Sequence, residues 1–308
     1  MRGFCSADRP ETADNGKAVP FPGAAFCYLG EQGRAAAAEV CEMIHAIGHL
    51  GLVDEHEIEL DAAALEIAAL DHPDVDLEPY IDLLEAITER LLGIAVTAHS
   101  PAEQAAALAD VLAGDYGFAG DHDSYDDPAN ADLIQVIDRR RGLPIALAIL
   151  YVALARRIGW TAFALNTPGH VLVGVGEDEL VLIDPFNGGT VVSPEQLAGL
   201  LHRALGGVKA ATAEHVAPMP NRAVLLRLLM NQASRAEQGG ALERALAVHE
   251  RITTIAPTHS HGWWELARLQ LGQGQVAAAR QSLSALLETT RDPVLRTHAN
   301  AALDALAG

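Results

Sequence analysis

The sequence predicts an α+β protein: helices first, a small antiparallel sheet in the middle, and paired helices at the end. Three observations carry this expectation. Segments from about residue 58 onward repeat apolar residues at i, i+3, i+4 spacing between capping residues and prolines. The stretch "NTPGHVLVGVGEDELVLIDPFNGG", 166–189, reads as two strands about a tight turn. "GALERALAVHERITTIAP", 240–257, superimposes on "GQVAAARQSLSALLETTR", 274–291, at a shift of 34 residues.

Bulk properties narrow the function classes. A chain of 308 residues can bury a sizeable core, and half of its residues are hydrophobic. A formal charge of −20 repels phosphate backbones and anionic lipid, so nucleic acid and membrane are not expected partners. The longest apolar run, "GLPIALAILYVALA" at 142–155, is too short to span a bilayer and fits a fully buried helix. With no secretory-type apolar stretch after the first charge, a cytoplasmic place is expected. Cys5, Cys27 and Cys41 form neither a disulfide framework nor a CxxC zinc pair.

Residues 1–42 have scattered Pro and Gly without periodicity and read as a disordered leader. "IELDAAALEIAALDH" follows as a helix, with Asp61 at the cap position and Pro73 beyond its end. "LEPYIDLLEAITERLLGIA" is amphipathic through Tyr80, Leu83, Leu84, Ile87 and Leu91. Ser100, Pro101 and Glu103 spell a capping box for the next helix, which Gly114 and Gly117 break. A helix over about 131–139 and the apolar helix over 143–157 lead to the hairpin. Ser193 and Gln196 cap a helix after it. Domain boundaries are expected at 43–218 and 219–308. A period of 34 residues is the tetratricopeptide spacing, with Trp263, Leu266 and Ala267 at packing positions; the segment near 224–236 fits the repeat poorly. Two repeats bury too little surface to stand alone, so they are expected to pack on the preceding domain.

The hairpin brings a His and an Asp close. A loop centred on Glu177 opposes His170 and Asp184 directly on one face; a loop centred half a residue later pairs His170 with Pro185 and turns Asp184 away. An imidazole oriented by a carboxylate needs a thiol or hydroxyl to activate. The start of the apolar helix is the natural place for one, because the helix dipole there lowers a thiol pKa. The residues at that start are Leu143, Pro144 and Ile145, and none is a nucleophile.

"NADLIQVIDRRRGLPIALAILYVALARRIGW", then "NTPGHVLVG", then "LIDPFNGG" resemble the SirB-one family of transglutaminase-like proteins. "AALEIAALDHP", "GFAGDHDSYDDPANADL" and "MPNRAVLLRLLMN" are similar as well, so the resemblance covers roughly 58–305. It implies a papain-like transglutaminase core followed by tetratricopeptide helices, and, with the Ala-rich, Arg-over-Lys composition, a bacterial origin. It further implies that His170 and Asp184 are the dyad in its functional register, and that Pro144 stands where active members carry the nucleophilic Cys.

Arg140, Asn130 and Trp263 are the binding candidates. At least one of Arg139–Arg141 is expected to find a carboxylate in Asp132, Asp138 or the Asp121–Asp127 cluster, and Arg140 to line the dyad's cleft. Three further patterns fall short of metal or protease sites. "DHDSYDDPANAD" lacks the Gly and Glu of a calcium loop, "HEIEL" lacks the second His of a zinc protease, and "HSHGWW" reads as an inter-repeat loop. No cofactor or metal is expected. The expected function is non-catalytic, a scaffold or regulator whose degenerate cleft and repeat groove bind a protein or peptide. The alternatives are a hydrolase-type enzyme using the dyad with activated water or metal, and a dyad that only fixes the hairpin.

Overall fold

The computed structural model describes residues 46–206 and 212–306. The expected leader and its three cysteines lie outside them. Helix α1 (Leu60–Ala69) starts after Glu59, whose side chain makes no capping bond. Asp61, expected at the cap, instead sits inside the first turn at 2% exposure, with its carboxylate 2.7 Å from Arg157. A buried carboxylate is stable only with a partner, and a cation on a neighbouring helix supplies it. Helix α2 (Glu78–Ala95) buries Leu84, Ile87 and Leu91, as its spacing predicts. Helix α3 (Pro101–Ala109) opens with the predicted capping box: the Glu103 amide donates to the Ser100 hydroxyl, and Glu103 accepts from the Ser100 amide. A π-turn over Asp110–Asp115 ends it.

Helix α4 (Leu133–Arg139) is capped by Asp132, which accepts from the Gln135 amide at 3.1 Å. A two-residue parallel bridge, β1 (Ala119–Gly120) with β2 (Arg141–Gly142), frames the entry to α5 (Pro144–Arg157). Every residue of α5 from Pro144 to Ala155 is buried, and α1, α2 and the sheet pack around it. That sheet is antiparallel in the order β3 (Ala162–Ala164), β4 (Val173–Val175), β5 (Val181–Asp184), β6 (Thr190–Val191). Residues 217–219 cover part of its outer edge: Asn166 donates to the Ala217 carbonyl and Met219 to the Ala164 carbonyl. Helix α6 (Pro194–Ala204) carries the predicted Ser193–Gln196 box. Among the described residues no helix is long and apolar enough to cross a membrane.

The terminal third consists of α7 (Asn221–Gln238), α8 (Leu242–Ile255), α9 (Ser260–Gly272), α10 (Val276–Thr289) and α11 (Pro293–Ala305). Gly240 and Gly274, 34 residues apart, both turn at φ +73°, a conformation that favours glycine. The poor repeat match of α7 has a physical cause, since its polar positions serve the first domain. Asn221 donates to the Glu55 and Ile58 carbonyls, Arg222 to the Val53 carbonyl, and Gln232 to the Ala131 carbonyl at 2.7 Å.

The second join between repeats and core is Asp71, just past α1. It binds Arg251 through two bonds of 2.7 Å and also pairs with Arg244, both on α8. Burial opposes its ionisation, but the hydrogen bonds and charges of the two guanidinium groups outweigh it and hold the carboxyl below its ordinary pKa. Removing the carboxylate leaves Arg251, only 6% exposed, as an uncompensated buried charge. Asp71→Ala is expected to lower stability by about 3 kcal/mol at neutral pH. Because the folded pKa is depressed, this contribution is complete above about pH 4 and disappears as pH falls through the lowered value. Urea unfolding of both proteins at pH 7 and pH 3 should therefore show the difference shrinking in acid.

Candidate functional site

Two loops and one strand end assemble the site. His170 lies in a bend ahead of β4, after Gly169 at φ +73°. The Thr167 hydroxyl donates to the His170 carbonyl and accepts from the Leu172 amide at 3.2 Å, which closes the bend. Asp184 ends β5 and caps the turn Pro185–Asn187, accepting from the Phe186 amide at 3.1 Å and the Asn187 amide at 3.3 Å. The Asn187 side-chain amide adds a bond of 2.7 Å. His170 Nε2 stands 2.8 Å from each carboxylate oxygen.

The register behind this pair differs from both hairpin alternatives. Val173 pairs with Ile183 and Val175 with Val181, so the hairpin is centred on Asp178, and the register continued outward sets Leu172 opposite Asp184. His170 is thus the diagonal neighbour of Asp184. A whole-residue move of the centre shifts the pairing by two, which keeps both residues on one face. The diagonal distance is longer, and the imidazole's length bridges it.

Asp184 is 5% exposed. Burial raises the cost of its charge; the hydrogen bond and charge of His170, together with Asn187, override this and hold its pKa below the usual carboxylate value. The Phe186 ring meets three others edge to face: His170 at 5.7 Å, Tyr125 at 5.7 Å and His122 at 4.6 Å between centroids. It fits only because residue 120 is glycine, where a Cβ would lie 2.4 Å from the ring. The acidic loop therefore reaches the dyad through aromatic rings.

Tyr151 lies on α5 two turns beyond Pro144. Its phenol is buried without a hydrogen-bond partner among the described residues. Burial and the nearby Asp184 charge push its pKa well above the usual phenol value. Phe186, His122 and Tyr125 lie within stretches that carry the family resemblance, but nothing in their spacing along the chain sets them beside His170. Tyr151 had a signal, as the single polar side chain in "GLPIALAILYVALA".

The other candidates fall in several places. Pro144 is the first residue of α5 and is buried, like its neighbours Leu143 and Ile145. Asn130 is fully buried. Its side chain donates to the Ser124 carbonyl at 2.7 Å, and its own carbonyl accepts from the Leu143 amide, so it braces the acidic loop against the start of α5. Arg140 adopts a left-handed conformation, φ 55°, and stacks over Phe118 at 4.6 Å. It lines a different cleft, of about 330 Å3, with Tyr80 and Asp138. The expectation that it borders the dyad is corrected accordingly: the left-handed turn at the end of α4 directs it there. Arg139 finds the expected carboxylates, Asp121 at 2.8 Å and Asp127 at 3.7 Å. It closes α4, where a cation favours the dipole. Trp263, on α9, is partly buried against Leu283, Leu286 and Ala299 and donates to the Pro257 carbonyl. Among the described residues no three His, Cys, Asp or Glu side chains are grouped as a metal requires.

Helix α7 holds both loops of the site. Arg227 donates to the Thr167 carbonyl at 2.6 Å, beside the bend that carries His170. Arg235 donates to the Tyr125 carbonyl at 3.3 Å and lies 5.6 Å from the Tyr125 ring.

A hydrogen-bonded His–Asp pair at the end of a small antiparallel sheet, followed in the chain by paired helices, is the arrangement the fold presents. Residues 56–230 match the family described as the transglutaminase-like superfamily, and 236–302 match the tetratricopeptide repeat. The chain belongs to the transglutaminase-like superfamily. It is similar to a UPF0162 protein of Xylella fastidiosa strain 9a5c, 34% identical over 245 residues, covering 78% of this chain and 86% of the relative. A UPF0162 protein of Vibrio cholerae is 28% identical over 211 residues, covering 66% of this chain and 73% of the relative. A solved structure of menin aligns over 80% of this chain and 69% of its own at 12% identity, with a TM-score of 0.39.

The unpartnered phenol gives a direct test of packing at the site. Tyr151→Phe removes a buried hydroxyl that has no hydrogen-bond partner among the described residues, so stability is expected to rise by about 1 kcal/mol. Thermal and urea unfolding would measure this. A loss of similar size would mean that the hydroxyl has a bonded partner after all.

Proposed function

We propose that the protein is a non-catalytic member of its superfamily that binds a peptide or protein segment through its repeat helices. In this reading His170 and Asp184 hold the hairpin and the Pro185–Asn187 turn in place. The observation that carries it is the start of α5, where Leu143, Pro144 and Ile145 are all buried and apolar. Without a thiol or hydroxyl there, an oriented imidazole has no group from that helix to activate, and no covalent acyl intermediate can form on it. Tetratricopeptide helices stack into concave surfaces suited to peptides.

A second reading keeps a specific observation in its favour. The Nδ1 atom of His170 has no partner among the described residues, and the side chain retains 20% exposure. A base so placed can activate water. The two readings separate experimentally. Ser234 is exposed and lines the groove between α7, α8 and α9. Ser234→Trp should fill that groove and weaken peptide binding by about tenfold or more, whereas His170→Ala should leave binding within about twofold. Hydrolysis of ester or amide substrates by the wild type that vanishes in His170→Ala would overturn the non-catalytic reading.

A further inference from the structure

The cleft between α2 and α4 serves neither the dyad nor the repeat groove. It encloses about 330 Å3, with Val75, Leu83 and Ile137 on its apolar side and Tyr80, Asp138 and Arg140 on its polar side. Arg140 is the one residue other than glycine at a positive φ, 55°, among the described residues. Glycine takes such a position after a helix without strain, so an arginine there places its side chain at a conformational cost. The fold makes little use of the charge so placed. The guanidinium lies 4.6 Å over the Phe118 ring, and no hydrogen bond or ion pair among the described residues takes its protons. Nη1 is closed off without a partner, whereas Nε and Nη2 are not closed off.

Asp138, two residues earlier, is the obvious carboxylate for this cation. Burial lowers the Arg140 pKa against the pull of the Asp138 charge, yet the two make no ion pair. Asp138 Oδ2 instead accepts from the Tyr80 hydroxyl at 3.1 Å, and Oδ1 has no donor among the described residues. Opposite charges are thus held apart in one cleft, each with bonding capacity left over. Asp76 adds a second carboxylate to the lining. A lone anion meets the repulsion of Asp76 and Asp138, and a lone cation meets that of Arg140. A ligand that carries both charges a bond or two apart answers both.

We propose that this cleft binds a free apolar α-amino acid, of leucine's size and kind. The ligand carboxylate accepts from Arg140 Nε and Nη2, the fork geometry that guanidinium and carboxylate share. Its ammonium donates to Asp138 Oδ1, and its side chain lies on Val75, Leu83 and Ile137. Phe118 supports the guanidinium from behind. The volume is at the small end for ligand sites, as a single amino acid requires.

The test titrates the full chain with L-leucine, N-acetyl-L-leucine, L-leucinamide and N-acetyl-L-leucinamide by isothermal calorimetry. L-leucine is expected to bind with a Kd of about 0.1 mM, and the three derivatives, each lacking one charge or both, about tenfold more weakly or worse. Arg140→Asn removes the guanidinium with a residue that tolerates the left-handed conformation, and should weaken L-leucine by about tenfold or more. Should Arg140→Asn fail to fold, Asp138→Asn, exposed at the end of α4, is expected to weaken it similarly. Ser234→Trp, in the repeat groove, should leave L-leucine binding unchanged. Failure of L-leucine to bind at about 10 mM would overturn the proposal. So would a derivative that binds as tightly as L-leucine, or a folded Arg140→Asn protein that binds it as well as the wild type does.

Discussion

The burial of α5 along twelve consecutive residues, Pro144 to Ala155, is the constraint on which the rest of the structure depends. A helix enclosed on all sides must satisfy its backbone internally, and it leaves little room for polar side chains along its length. Charges are accordingly confined to its end. Arg157 meets Asp61, and Arg156 meets Asn221 at 2.8 Å. Tyr151 is the exception, a phenol buried in the core and within reach of the Asp184 charge. The same apolar rule extends to the start of the helix. Pro144 suits the first turn, where its missing N–H costs nothing, and it brings no nucleophile.

Around this axis the sheet is small, and its order is maintained from outside. Asp184 has three tasks at once: it ends β5, caps the following turn and holds His170. A carboxylate that accepts from two backbone amides, a side-chain amide and an imidazole is satisfied despite its burial. Phe186, fixed by that turn, then organises His122 and Tyr125 of the acidic loop. Its proximity to Gly120 ties the aromatic cluster to the short parallel bridge before α5.

Helix α7 connects this site to the repeats. One side gives Arg227, Gln232 and Arg235 to the loops around the dyad. Another gives Met230, Ala233 and Glu237 to the groove. A helix is stiff over this length, so the groove and the dyad loops share one rigid wall. That shared duty also accounts for the departure of α7 from the repeat pattern.

Much of the fold was legible because it is written in local chemistry. The boxes at Ser100–Glu103 and Ser193–Gln196, the apolar run of α5 and the 34-residue shift each depend on residues a few positions apart. The resemblance through the hairpin and helix motifs agrees with the superfamily match over 56–230. His170 and Asp184 are recognisable as a pair, yet the hairpin is centred on Asp178, beyond both centres that the alternation suggests, because the turn geometry around Gly176 is not encoded in alternation alone. The sequence by itself determined the helices, their caps and the absence of a nucleophile at Pro144. Only the tertiary structure decided that Asp61 faces Arg157, that Arg140 turns to a separate cleft, and that Phe186 gathers the rings. Local preference acts within a turn or a strand, whereas each of these outcomes depends on which distant element is packed alongside.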